Sequence, residues 1–180
     1  MNWGWREKTP ASMPEGHLLK LAGFAKEWGQ AAVCYGGGEA TLHPDTVPFF
    51  YYLKNNGIQL GTTTNGGSHL TDEKIKAMAE CSTWVGVSVD AGEAEIYSQI
   101  HGVDKAEFGK VLNNIERLSK MGADVTYKML IHPVMIHTIY QAAKTAKALG
   151  ATGLLMRPVG WINVARTKGQ PPLDFKPKLP

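Results

Sequence analysis

The chain has 180 residues, of which 43% are hydrophobic and 19% charged, with a formal net charge of +3. That is the length and composition of about one folded domain with a real core. It excludes a disordered polymer, and with no dense Lys/Arg cluster and no apolar run near the roughly 18 residues of a membrane span it gives no sign of nucleic-acid or membrane binding.

In chain order the elements alternate. Ser12-Met13-Pro14-Glu15 reads as a helix start, with Ser12 as cap and Glu15 closing a capping box. Leu18, Leu19, Ala22, Ala25 and Trp28 keep helical spacing to Gly29, and residues 31–35 form the first strand. A second helix through Val47, Phe50, Tyr51 and Lys54 ends at Asn56-Gly57, and a strand covers 58–62. Thr71-Asp72-Glu73 caps a third helix before the strand 84–89. Asp104 with Glu107 opens a helix with the stripe Phe108, Val111, Leu112, Ile115, Leu118 and Met121, stopped at Gly122. A strand spans Val125 to Ile131, a helix Thr138 to Leu149, and a last strand begins at Gly153. Five strands alternating with five main helices predict right-handed βαβ units and a parallel sheet. Residues 1–166 are read as one domain, and 167–180, rich in Pro and Lys, as a tail or linker.

In parallel α/β folds, function collects at the carboxyl ends of the strands. Those ends read Gly36-Gly37-Gly38-Glu39, Thr64-Asn65-Gly66, Ser88-Val89-Asp90, Lys128 to His132, and Arg157-Pro158. Three glycines leave bare backbone for a small polar ligand, and Glu39 stands behind them; the plain alternative is a glycine turn opening a helix. Ser88 and Asp90 share one side of their strand, but Asp90 also fits a capping box with Glu93. Asn65 either lines the site or only makes a tight turn. Lys128 either faces the site or points outward from an alternating strand, and Arg157, read as its strand's last residue, is the better anion partner. His132 and His137 are read as surface or capping residues, and Trp28 as a packing residue.

The ordered set Gly-Gly-Gly-Glu-Ala-Thr-Leu-His-Pro at 36–44, Thr-Asn-Gly at 64–66, Ser-Val-Asp at 88–90, Tyr97 with His101-Gly102, and Leu155-Met156-Arg157-Pro158 resembles the radical S-adenosylmethionine (radical SAM) superfamily. The resemblance implies an α/β fold, a partial parallel (β/α)6 TIM-like barrel. It also implies S-adenosylmethionine as cofactor and a [4Fe-4S] cluster that cleaves it reductively, releasing a 5′-deoxyadenosyl radical that acts on a substrate the sequence does not identify. By the same resemblance Gly36, Gly37, Gly38 and Glu39 hold the cofactor's amine, and Ser88 and Asp90 contact its ribose or methionine part; by charge alone Lys128 or Arg157 suits its carboxylate, and Asn65 stays open between lining the site and making the turn.

The family's Cys-x-x-x-Cys-x-x-Cys loop does not occur in this sequence, whose two cysteines are Cys34 and Cys81. The expectation is therefore a barrel lacking its first strand and cluster loop, inactive alone: a fragment of a complete enzyme, or a relic that binds S-adenosylmethionine or a partner without catalysis. Trp3 and Trp5, read as packing residues, would then be exposed and call for a covering partner. A cytoplasmic location follows as the default for two unpaired cysteines and no apolar leader. An ordinary phosphate-binding barrel ranks last, because Gly160 is the single glycine after Arg157-Pro158 in that strand end.

Overall fold

The structure, a computed structural model, describes residues 12–158. Trp3, Trp5, Gly160 and the expected boundary at 166/167 lie outside the described residues. Five strands, β1 (Ala32–Tyr35), β2 (Gln59–Thr64), β3 (Trp84–Ser88), β4 (Val125–Ile131) and β5 (Gly153–Pro158), form one sheet in the order β1-β2-β3-β4-β5. All four pairings are parallel, with Tyr35 beside Thr62, Thr64 beside Val87, Ser88 beside Lys128 and Leu130 beside Arg157. The fold is a partial TIM-like (β/α) barrel. β5 runs one residue past Arg157, and β2 two residues past its expected end.

Six α-helices join and cover these strands among the described residues: α1 (His17–Glu27), α2 (Thr46–Asn55), α3 (Asp72–Cys81), α4 (Ala94–His101), α5 (Ala106–Lys120) and α6 (Ile139–Ala148). Strand side chains alternate between two faces. Tyr35, Leu60, Val85, Val87, Val125, Tyr127 and Met129 are buried under the helices. The other face carries Cys34, Gly61, Thr63, Trp84, Ser88, Thr126 and Lys128 and stays open or half-open. α1, α2, α5 and α6 each leave through a glycine at positive φ, Gly29, Gly57, Gly122 and Gly150, as the sequence predicts.

Four local readings are corrected. α1 does not begin with a capping box: Ser12 Oγ meets only Met13 O, and the helix is capped by Gly16, whose N–H donates to Asp45 Oδ2 at 2.6 Å. A carboxylate 29 positions away takes the part assigned to a neighbour. Trp28 is 74% exposed rather than packed, because it sits at the C-cap, where the chain already turns away through Gly29. α4 is a sixth helix within a stretch the spacing left unassigned; at eight residues it offers too few turns to show a period. Met121, expected to close the α5 stripe, is likewise 47% exposed at that helix's C-cap. Thr71 does cap α3, accepting from Lys74 N–H, and His132 caps the 3₁₀ turn Pro133–Thr138.

Candidate functional site

The glycine edge lies at the carboxyl end of β1. Gly36, Gly37 and Gly38 are exposed, and a Cβ at Gly37 or Gly38 would meet nothing within 4 Å. Open space on the bare side of a backbone is what a close-approaching ligand needs. Glu39 follows, its side chain only 8% exposed. Its Oε1 accepts from Thr41 Oγ1 at 2.5 Å, Thr64 Oγ1 at 2.9 Å and Thr41 N–H at 3.3 Å, and its Oε2 accepts from Asn65 N–H at 2.6 Å. The carboxylate thus pins the end of β1 to the end of β2. Burial pushes its pKa up, but the nearby His69 and the bonds from Thr41, Asn65 and Thr64 together outweigh that and leave it below the ordinary carboxylate value.

Asn65 contributes its backbone to this clamp. Its side chain makes the turn, with Oδ1 accepting from Gly67 N–H at 2.9 Å. Gly66 takes φ 70°, and Asn114 of α5 donates to the carbonyls of both Gly66 and Gly67. Buried Asn114 sits beside the α5 stripe and escaped the sequence reading; the signal was an asparagine pair, 113 and 114, inside an apolar run.

Ser88, Asp90, Lys128 and Arg157 come together at the ends of β3, β4 and β5, around a cavity of about 110 Å³ that Met129, Leu130 and Leu155 also line. Asp90 is the one non-glycine residue at positive φ among the described residues, at 55°. Aspartate tolerates that region better than most residues, yet it is sparsely used and marks a site worth attention. Its carboxylate accepts from Leu130 N–H at 2.5 Å and stands 3.9 Å from His101 Nε2. Burial raises its pKa, with the Leu130 bond and the His101 and Lys128 charges working against that rise. The capping box with Glu93 is not formed: Glu93 is itself the N-cap of α4, and its side chain makes no bond to the helix end.

Lys128 lies on the open face, its Nζ 5.9 Å from the centre of the Trp84 ring. Trp84 itself lies across Gly86, where a Cβ would come within 2.5 Å of the ring, and its indole N–H donates to Thr126 Oγ1 at 2.7 Å. This aromatic floor was missed, because Trp84 reads in sequence as one more strand residue. A wider hollow of about 440 Å³ lies between the turn after β2 and α5. Its cations are already paired, Lys110 with Glu107 and Arg117 with Asp72, and none of the strand-end candidates lines it.

The donor set does not fit an iron–sulfur cluster, which needs three or four thiolates on one site. Cys34 is exposed on β1 and Cys81 is buried at the end of α3. No group of three His, Cys, Asp or Glu able to hold a metal occurs among the described residues. The same residues do suit S-adenosylmethionine, an ammonium-bearing ligand with ribose hydroxyls: bare carbonyls at one strand end, a hydroxyl and a carboxylate at another. No helix among the described residues is long and apolar enough to cross a membrane.

A parallel sheet with a glycine edge ahead of polar strand ends defines the class, a partial α/β barrel with its polar groups gathered at the carboxyl ends of its strands. The particular family follows from comparison: the radical SAM superfamily model matches residues 2–146, and the chain belongs to that superfamily. It is 30% identical over 127 residues to the GTP 3',8-cyclase of Pasteurella multocida (strain Pm70), covering 69% of this chain and 35% of that protein. It is 34% identical over 68 residues to an S-adenosylmethionine-dependent nucleotide dehydratase of Thermoplasmatales archaeon (strain ISO4-H5), covering 38% and 24%. In fold it is similar to SuiB of Streptococcus suis, with TM-score 0.71, 13% identity and coverage of 84% and 35%. It is similar also to anSMEcpe with bound AdoMet, with TM-score 0.67, 19% identity and coverage of 87% and 45%. The chain spans about a third or less of the curated relatives described here.

Proposed function

We propose that this chain is the S-adenosylmethionine-holding part of a radical SAM enzyme. The observation that carries the reading is the placement of the open Gly36–Gly38 edge and the Ser88–Asp90 end at the carboxyl ends of β1 and β3, on either side of β2 in one parallel sheet. The backbone carbonyls of the glycine edge take the cofactor's ammonium, and Glu39 keeps that edge in place from behind. Ser88 and Asp90, two strands along or about 10 Å, suit its ribose. The methionine amine and carboxylate share one carbon, whereas Arg157 is four strands, about 19 Å along the sheet, from the glycine edge. Lys128 and Arg157 therefore lie on the far side of Ser88 and Asp90 from the methionine end, and they suit an anionic group of the substrate. The radical step of the superfamily has no ligand set among this chain's own cysteines, so binding is assigned to the chain and cleavage is not.

Calorimetry with S-adenosylmethionine tests this. The wild-type chain is expected to bind. Gly38→Val, whose Cβ meets no protein atom within 4 Å and whose side chain fills the ligand's space, is expected to weaken binding at least about tenfold, and Arg157→Ala to leave it within about threefold. No binding by the folded chain, or equal affinity in Gly38→Val, would refute the proposal. Anaerobic incubation with iron and sulfide should give no cluster absorbance; a stable cluster would overturn the ligand argument.

A second reading, a cluster-less form that binds the cofactor and never cleaves it, rests on the same two cysteines. It is favoured if the chain still yields no 5′-deoxyadenosine when joined to a cluster-loop segment.

A further inference from the structure

His69 stands in the turn after β2, beside Glu39 and outside every motif that pointed to the family. Its Nε2 is 2.8 Å from Thr41 Oγ1 and 3.4 Å from Glu39 Oε1, and its side chain is 19% exposed. Hydrogen-bond accounting settles its state at this contact. Thr41 has one hydroxyl proton, and that proton is given to Glu39 Oε1. An ionised Glu39 has none to give. The short approach of His69 Nε2 to Thr41 Oγ1 is therefore a bond only if Nε2 carries the proton and donates it. The chain His69 to Thr41 to Glu39 then continues from Glu39 Oε1 to Thr64 Oγ1 and from Oε2 to the Asn65 amide. Its members come from the loop after β1 and from the end of β2, the two sides of the glycine edge.

We propose that His69 is a positioning residue for the S-adenosylmethionine site: by donating from Nε2 to Thr41 it orients the Thr41–Glu39 pair and so holds the Gly36–Gly38 edge at the height where its carbonyls meet the ligand's ammonium. The inference rests on the reading of that edge as the cofactor site. It asks nothing of His69 toward the ligand itself. Glu39 is bound on both oxygens by its own chain, so it serves the site through the backbone it fixes. The support for that arrangement is what a substitution at His69 removes.

Three variants separate donation from bulk. Glutamine can present an amide N–H near the position of Nε2, asparagine only near that of Nδ1, and alanine neither. Calorimetry with S-adenosylmethionine is expected to show His69→Ala and His69→Asn binding about tenfold more weakly than wild type, with His69→Gln restored to within about threefold. Circular dichroism checks that each variant is folded. Two ligand-free readouts follow the network directly. Nitrogen NMR of wild-type His69 should find the proton on Nε2, and the Asn65 amide should exchange faster in His69→Ala than in His69→Gln. Unchanged affinity in His69→Ala, equal affinities in the Asn and Gln variants, or a wild-type ring protonated only at Nδ1 would each overturn the proposal. If the wild-type chain binds no S-adenosylmethionine, the cofactor reading has failed, and the NMR and exchange results still decide whether His69 holds Glu39.

Discussion

Glu39→Ala is the perturbation that bears most on the clamp between β1 and β2. It removes the acceptor of two buried hydroxyls, Thr41 Oγ1 and Thr64 Oγ1, on residues 0% and 2% exposed. The Asn65 amide also loses its acceptor, but Asn65 is exposed and water replaces it. At about 1.5 kcal/mol for each stranded buried hydroxyl, the loss is about 3 kcal/mol. A chain of this size loses about 2–4 °C of Tm per kcal/mol, so thermal unfolding followed by circular dichroism should fall by about 6–12 °C at neutral pH. Glu39→Gln keeps one acceptor oxygen and turns an NH₂ toward a donor, which places it between wild type and alanine. The pH dependence has a fixed sign. The folded-state pKa of Glu39 is lowered from its ordinary value of 4.5, so its stabilisation is present above that value and is lost as pH falls through the folded pKa. The wild-type advantage over Glu39→Ala should therefore shrink on acidification. A Tm change under about 2 °C, or a difference between the two proteins that does not vary from neutral to strongly acid pH, would refute the clamp.

Asp90 has the opposite sign: its pKa is raised above 3.8 in the fold, so the ionised carboxylate opposes folding at neutral pH and that cost disappears as pH falls below the unfolded value. Asp90→Asn, which retains an acceptor for Leu130 N–H and tolerates φ 55°, should unfold at a higher temperature than wild type at neutral pH and lose that advantage in acid; a lower Tm at neutral pH would contradict this. Gly92→Ala would put a Cβ 2.1 Å from Thr138 O and 3.0 Å from Ala142 N, both backbone atoms that cannot step aside. It should cost about 3 kcal/mol, again about 6–12 °C of Tm, and a wild-type Tm would show that the loop after β3 does not seat against α6.

Much of the fold was written locally. Apolar periods of 3.6 and 2, closed by glycines at 29, 57, 122 and 150, announced the α/β alternation, because each signal lies within a few residues of the element it ends. The order of strand-end motifs likewise carried the family and the gathering of those motifs at one edge, since parallel strands deliver their carboxyl ends to one edge whatever lies between them. Three matters were decided by tertiary structure alone. The donors to Glu39 come from residues 2, 25 and 26 positions away. The cap on α1 comes from Asp45 rather than Ser12, and the Asp90 carboxylate turns to Leu130, 40 positions on, instead of to its own helix start. Local sequence lists which groups can donate and accept, but which pairs form depends on the register of distant strands. The sequence by itself therefore determined that a glycine edge backed by a carboxylate would stand at the carboxyl end of the first strand. Only the fold decided that this carboxylate is held by donors 2, 25 and 26 positions away, while the backbone of Gly36–Gly38 stays open.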